Sequence, residues 1–166
     1  MIKMKPELKK LNLRNPLHFM AVGFGSGLSP IAPGTTGSFA AIPLCYLLTG
    51  LPVAWSLIII MISWYIGIIA CQSATDAIGI DDHGAIVWDE FVGMFITTIC
   101  APQSFTWMII CFLVFRVFDI FKPWPIKLID SDLHGGLGIM LDDVLAGLYG
   151  LVTIQLWLYF FPNFTL

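Results

Sequence analysis

The sequence predicts an all-α integral membrane protein: a helical bundle of about five transmembrane helices, with four as the alternative count, plus an N-terminal amphipathic helix and a Gly/Pro-rich loop. Three observations predict it. Of the 166 residues, 58% are hydrophobic and 11% charged, with a mean hydropathy of +0.87, whereas soluble domains devote roughly a quarter of their residues to charge. Apolar segments recur at about 38–49, 53–72, 87–100, 105–121 and 144–161, several of them shorter than the ~20 residues that cross a bilayer unaided. The charges are segregated as well. The turns at 49–52 and 101–104 and everything after Tyr149 carry none. One domain over 1–166 is expected, with 1–14 as a basic cytosolic tail.

The elements follow in order. Lys3, Lys5, Lys9, Lys10 and Arg14 make the N-terminus basic, which the positive-inside rule places in the cytosol. Arg14, Asn15, Pro16 and His18 interrupt any apolar core there, which argues against a signal peptide. Residues 6–22 space Leu8, Leu11, Leu13, Leu17 and Phe19 among lysines, as an amphipathic helix on an anionic leaflet would, and His18 is expected at that interface. From Val22 to Ser38 glycine and proline are too frequent for a regular helix, and no charge occurs. This stretch reads as a loop, re-entrant in one version. Its N–H groups and the Ser29, Thr35, Thr36 and Ser38 hydroxyls offer an anion cradle, and ordinary helix packing and turning is the other reading. The five apolar segments come next, joined alternately by uncharged and charged connections. That alternation puts all nineteen charged residues, eight basic and eleven acidic, on the cytosolic side. Cys45, Cys71, Cys100 and Cys111 lie in apolar segments without metal spacing and read as small hydrophobes.

The charges that interrupt the apolar pattern carry the chemistry. Asp89 and Glu90 open one apolar run, Arg116, Asp119 and Lys122 end another, and Asp142 and Asp143 are expected to start the last. Carboxylates at the mouth of a low-dielectric bundle cost several kcal/mol unless something compensates them, so they mark function by default. Residues 116, 119 and 122 share one roughly 120° arc of a helix, and Arg116 neutralises Asp119 on the plainest reading. Lys122 and Lys127 are too few to pair Asp89, Glu90, Asp142 and Asp143. Hard oxygen ligands clustered without His or Cys suit Mg2+. Helix-dipole capping accounts for one acid per helix start more easily than for two. Asp81-Asp82-His83 and the glycine-rich loop around His134 are weaker signals.

Gly25-Ser26-Gly27-Leu28-Ser29-Pro30-Ile31-Ala32-Pro33-Gly34-Thr35, Val87-Trp88-Asp89-Glu90-Phe91-Val92-Gly93, the run from Phe115 to Ile126 and the run from Gly138 to Gly147 resemble, in this order, the motifs of bacterial phosphatidylglycerophosphatase A. The resemblance extends from about Asn15 to Gly150 and shows no departure at the charged positions of these motifs. It implies a helical bundle in which one helix is surrounded by others. It also implies a Mg2+-dependent phosphatase of the bacterial inner membrane that removes the terminal phosphate of phosphatidylglycerophosphate, with its site facing the cytosol. It assigns no role to each carboxylate.

The residues agree with that chemistry. Asp89, Glu90 and Asp143 are the expected Mg2+ ligands. Asp142, Asp119 and Lys122 are the expected catalytic groups, with Arg116 and Lys122 on the phosphate oxygens beside the Ser29, Thr35, Thr36 and Ser38 hydroxyls. Cys111 and Arg116 enclose four residues where a cysteine phosphatase loop needs five. Three scattered histidines do not supply a histidine phosphatase, and Asp130-Ser131-Asp132-Leu133 lacks the residue that follows an aspartyl nucleophile pair. The expected partners are the lipid substrate and membrane lipids, with no nucleic acid, and the oligomeric state is left open. The alternative function is a small ion or proton conductor. A conducting path needs polar groups through the depth of the bilayer, and here the acids gather at one face.

Overall fold

A computed structural model describes residues 6–127 and 133–162. Lys3, Lys5, the Asp130-Ser131-Asp132 run and the tail at 163–166 lie outside the described residues. Among the described residues there is no strand, and six α-helices are described end to end: α1 (Pro16–Ala21), α2 (Pro33–Thr49), α3 (Val53–Ile78), α4 (Trp88–Thr98), α5 (Phe105–Phe121) and α6 (Gly135–Phe160).

The N-terminal region is not one amphipathic helix. A 3-10 turn at Pro6–Lys10 is separate from α1, because Asn15 caps α1 by accepting the Leu17 N–H at 3.0 Å and Pro16 occupies its first turn. Leu8 and Leu11 are buried, and Lys10 Nζ donates to Ile78 O at 3.0 Å, covering the last carbonyls of α3. His18 is buried rather than interfacial. Its Nε2 lies 3.2 Å from Ser73 Oγ, and its Nδ1 accepts the Asn12 N–H at 3.1 Å.

The centre of the bundle is α4. All eleven of its residues are buried, and it packs against α2, α3, α5 and α6. A helix buried all round has no solvent face to orient it, so its neighbours must approach from every side. Gly93 and Gly147 bring two helix backbones together: a Cβ on Gly147 would come within 2.6 Å of Gly93 O. Thr97 sits across the same crossing, its Oγ1 donating to Gly93 O at 2.9 Å and reaching Gly147 O at 3.3 Å. Gly147→Leu should therefore force α6 off α4 and cost about 1–3 kcal/mol. Thermal unfolding in detergent reads this, and an unchanged midpoint would contradict the packing.

Of the five apolar segments, two form helices long and apolar enough to cross a membrane: α3 and α6, each of 26 residues. Helix α4, with 11 residues, is only about 16 Å long, so five spans do not follow from helix length. Away from the core α3 exposes Trp55, Ile58, Ile62, Tyr65 and Ile69, a continuous apolar surface compatible with lipid. The helices alternate in direction. Gln103 Nε2 donates to Tyr46 O and Gln155 Nε2 to Cys100 O, both at 3.1 Å, so the uncharged turns and the outer part of α6 meet at one end. At the other, Gly135 N–H donates to Asp81 Oδ1 at 3.0 Å and Gly136 N–H to Gln72 Oε1 at 2.8 Å.

Two sequence expectations change here. Helix α2 begins at Pro33, so Thr35, Thr36 and Ser38 are helical and not part of a loop. Helix α6 begins at Gly135, so Gly135–Gly138 is helix rather than loop, and Asp142 and Asp143 lie about two turns inside it rather than at its start. Dipole capping therefore does not account for either acid, since the effect fades beyond the first turn.

Candidate active site

At the charged end a cavity of about 300 Å³ opens between α4, α5 and α6 under the 82–86 connection. Six acidic side chains line it, against two basic ones, Arg116 and Lys122. Five of the acids are the expected ones; Asp82 is the sixth.

The first turn of α4 aims Asp89 and Glu90 inward, and α6 brings Asp143 to meet them because glycine crosses glycine just below. One carboxylate oxygen from each of Asp89, Glu90 and Asp143 lies within 4.8 Å of the others. Asp89 Oδ1 and Glu90 Oε2 are buried and have no hydrogen-bond partner among the described residues. Buried polar atoms are nearly always satisfied, so two orphaned oxygens facing one another's negative charge mark a place where a cation fits. The set has oxygen donors only, a chemistry that suits a small hard ion such as Mg2+.

Glu90 is seated by two glycines. A Cβ on Gly34 would strike Glu90 Oε1, and one on Gly37 would come within 3.1 Å of Oε2. The glycine-rich start of α2 thus serves the site by letting a helix backbone approach a carboxylate, not by offering hydroxyls. Ser29 Oγ donates to Ile31 O, Thr36 Oγ1 to Ala32 O and Ser38 Oγ to Gly34 O, and none of Ser29, Thr35, Thr36 or Ser38 lines the cavity. In a helix such hydroxyls turn back to the preceding turn. Ser38 keeps an indirect role, because its Oγ accepts from Arg116 Nη1 at 3.4 Å.

The two cations are held by the remaining acids. Arg116 Nη1 pairs with Asp119 Oδ2 and lies 3.8 Å from Glu90 Oε1. Its Nε is buried without a hydrogen-bond partner among the described residues, so the guanidinium has donor capacity to spare. Lys122 Nζ donates to Asp142 Oδ2 at 2.7 Å, while Asp142 Oδ1 accepts the Asp143 N–H at 3.0 Å. Asp119 and Asp142, expected as catalytic groups, are ion-paired in this geometry with Arg116 and Lys122.

Sequence reasoning gave too little weight to Asp82 and missed Gly34, Gly37 and Ile120 as site residues. Asp82 lines the cavity from a left-handed backbone at φ 46°; its only signal was its place in an acidic pair. His83 Nδ1 accepts the Ala85 N–H at 3.1 Å, and His134 Nδ1 lies 3.5 Å from Asp81 Oδ2. Both histidines shape loops.

Carboxylates converging beside an arginine and a lysine, at one end of a helical bundle with two helices long and apolar enough to cross a membrane, are compatible with a membrane-associated hydrolase that handles phosphate. A family model described as phosphatidylglycerophosphatase A matches residues 19–158. The chain is 50% identical over 141 residues to the phosphatidylglycerophosphatase A of Escherichia coli (strain K12), covering 83% of this chain and 81% of that one. It is 48% identical over 156 residues to the protein of that name from Haemophilus influenzae, covering 91% and 96%. A relative from Bacteroides thetaiotaomicron, named provisionally as a phosphatidylinositol-3-phosphatase, is 36% identical over 143 residues, covering 81% and 89%. No solved structure matches the chain. The chain belongs to the phosphatidylglycerophosphatase A family and is a phosphatase.

Proposed function

We infer that the protein hydrolyses the terminal phosphomonoester of phosphatidylglycerophosphate, with Mg2+ held by Asp89, Glu90 and Asp143. The observation that carries the reading is the meeting of three carboxylates, two with orphaned oxygens, beside Arg116 and Lys122 in one cavity. Bound there, Mg2+ supplies Lewis-acid charge for a phosphoryl oxygen and makes water a better nucleophile near neutral pH. The chain's own groups do the rest. Arg116 and Lys122 present positive charge to the phosphate oxygens and to the charge that redistributes among them in the transition state. Asp119 and Asp142 hold those cations in place, so little reorganisation is needed when substrate binds. The excess of acids over bases lining the cavity disfavours a phosphate dianion unless a cation binds with it, which favours ordered loading.

Phosphate release by the purified protein in detergent tests this on phosphatidylglycerophosphate and, for selectivity, on phosphatidylinositol 3-phosphate. Release from the first that falls to background with chelator and returns with Mg2+ is expected. Undiminished release under chelation would remove the metal from the reading, and no release from either lipid would remove the lipid substrate.

The same reading places the bundle in the bacterial inner membrane as a multi-pass protein with the cavity facing the cytosol, five crossings being the fullest version. Its support is the gathering of the uncharged turns at one end and the charged cavity at the other. Single cysteines at positions 50 and 103 should react with an impermeant thiol reagent from the external side only. Labelling from the cytosolic side would reverse the topology.

A further inference from the structure

Helix α5 turns Arg116, Asp119 and Lys122 into the cavity, while Val117, Ile120 and Phe121 form the opposite face, 50%, 64% and 78% exposed. Trp124, just beyond the helix end, is 76% exposed. Ile120 belongs to both surfaces. Of the two isoleucines that line the cavity, Ile86 is buried and Ile120 is open, so the charged interior meets the apolar exterior at Ile120.

We propose that the lipid substrate approaches along this face of α5, its phosphorylated headgroup passing Ile120 into the cavity while the diacylglycerol stays outside on Val117, Ile120 and Phe121. The proposal rests on the lipid-phosphatase reading above. Acyl chains have no place among eight charged side chains, and a phosphate has none in hydrocarbon. A lipid that offers both must lie across a boundary between the two environments, and Ile120 marks one. The apolar hollow lined by Leu44, Leu47, Leu51, Ile59 and Phe95 is the competing place. It lies toward the far end of α2 from Gly34, the residue that packs on Glu90. Although that hollow reaches Trp88, next to Asp89, its lining holds no charged side chain, so it offers a phosphate no partner. Recognition then falls on the headgroup, and the chains are held by a surface without a pocket.

The full-length V117N/F121N protein in mixed micelles provides the test, assayed on dioleoyl phosphatidylglycerophosphate and on its deacylated, water-soluble headgroup. Against the lipid, KM should rise about tenfold, the scale of losing two apolar contacts, while kcat and the rate on the soluble headgroup hold. I58N/I62N on α3, an apolar pair at the lipid-compatible surface, should leave both substrates unaffected. Equal losses on both substrates, equal losses in the α3 pair, or a changed oligomeric mass on V117N/F121N would each overturn the proposal. A photoactivatable group near the glycerol end of an acyl chain should crosslink to residues 117–121 in the wild-type protein. Crosslinks confined to the Leu44–Leu51 hollow would overturn the proposal while leaving the phosphatase reading intact. Wild-type protein inactive on lipid and headgroup alike would bring down both.

Discussion

Asp89→Asn, Glu90→Gln and Asp143→Asn should each lower kcat/KM on phosphatidylglycerophosphate by about a thousandfold or more, which is roughly 4 kcal/mol of transition-state stabilisation. Stability should move the other way. The three carboxylates face one another within 4.8 Å, and in the metal-free protein their mutual repulsion is a cost that an amide of the same shape removes. Each variant is therefore expected to unfold at or above the wild-type temperature in chelator, and to lose the upward shift that Mg2+ gives the wild type by binding only the folded state. Asp119→Asn is the contrast. Arg116 would keep Ser38 and Glu90 nearby, so a loss nearer tenfold is expected, acting through the guanidinium. Near-normal turnover of the three variants at saturating Mg2+, with the thermal shift retained, would put the metal elsewhere.

Lys122→Ala should cost about a hundredfold or more in kcat/KM, and Lys122→Arg should recover little of it. A lysine at a helix end often does no more than reach for the headgroups. This one is held from both sides. Its backbone closes α5 in the left-handed region, φ 41° and ψ 61°, with its N–H donating to Phe118 O, and its ammonium lies 2.7 Å from Asp142 Oδ2. A non-glycine residue in that conformation is kept there by its surroundings. A planar, forked guanidinium does not reproduce a compact charge at that point. Removing the ammonium also takes a cationic partner from Asp142, at roughly 1–3 kcal/mol of stability, less than for a fully buried pair because Lys122 keeps some solvent contact. Lys122→Ala combined with Asp142→Asn should restore the unfolding temperature without restoring turnover. Full activity of Lys122→Ala on the lipid, with membrane insertion confirmed, would reduce Lys122 to an anchor.

The acids and bases of the cavity were legible in the sequence because charge inside apolar segments is costly and therefore conspicuous. Asp89, Glu90, Arg116, Asp119, Lys122, Asp142 and Asp143 all line one cavity. Their partnerships were legible only where they are local. Arg116 and Asp119 are one helical turn apart, whereas Lys122 meets Asp142 across two helices, which no spacing rule reveals. The glycine-rich stretches misled for a common reason. In water such runs usually make turns, but here Gly34 and Gly37 admit Glu90, and Gly136 lies against Ile68 and Gln72 of α3. Small residues let helix backbones approach closely, so residues 33–38 and Gly135–Gly138 are helical despite low propensity. Ile120 escaped notice because its place at the cavity edge depends on how α5 is rotated in the bundle.

The complete burial of α4 bears on how the protein is made. A nascent chain leaves the ribosome from its N-terminus, so α4 emerges carrying two acids before α5 brings Arg116 and long before α6 brings Asp143. Eleven residues opened by Asp89 and Glu90 are too short and too charged to be stable alone in apolar surroundings. The final position of α4 is therefore set by neighbours that do not yet exist when it is synthesised. The segment reaches its buried state only as the later helices close around it. The enzyme is then built from the outside inward, and the site is the last part to form.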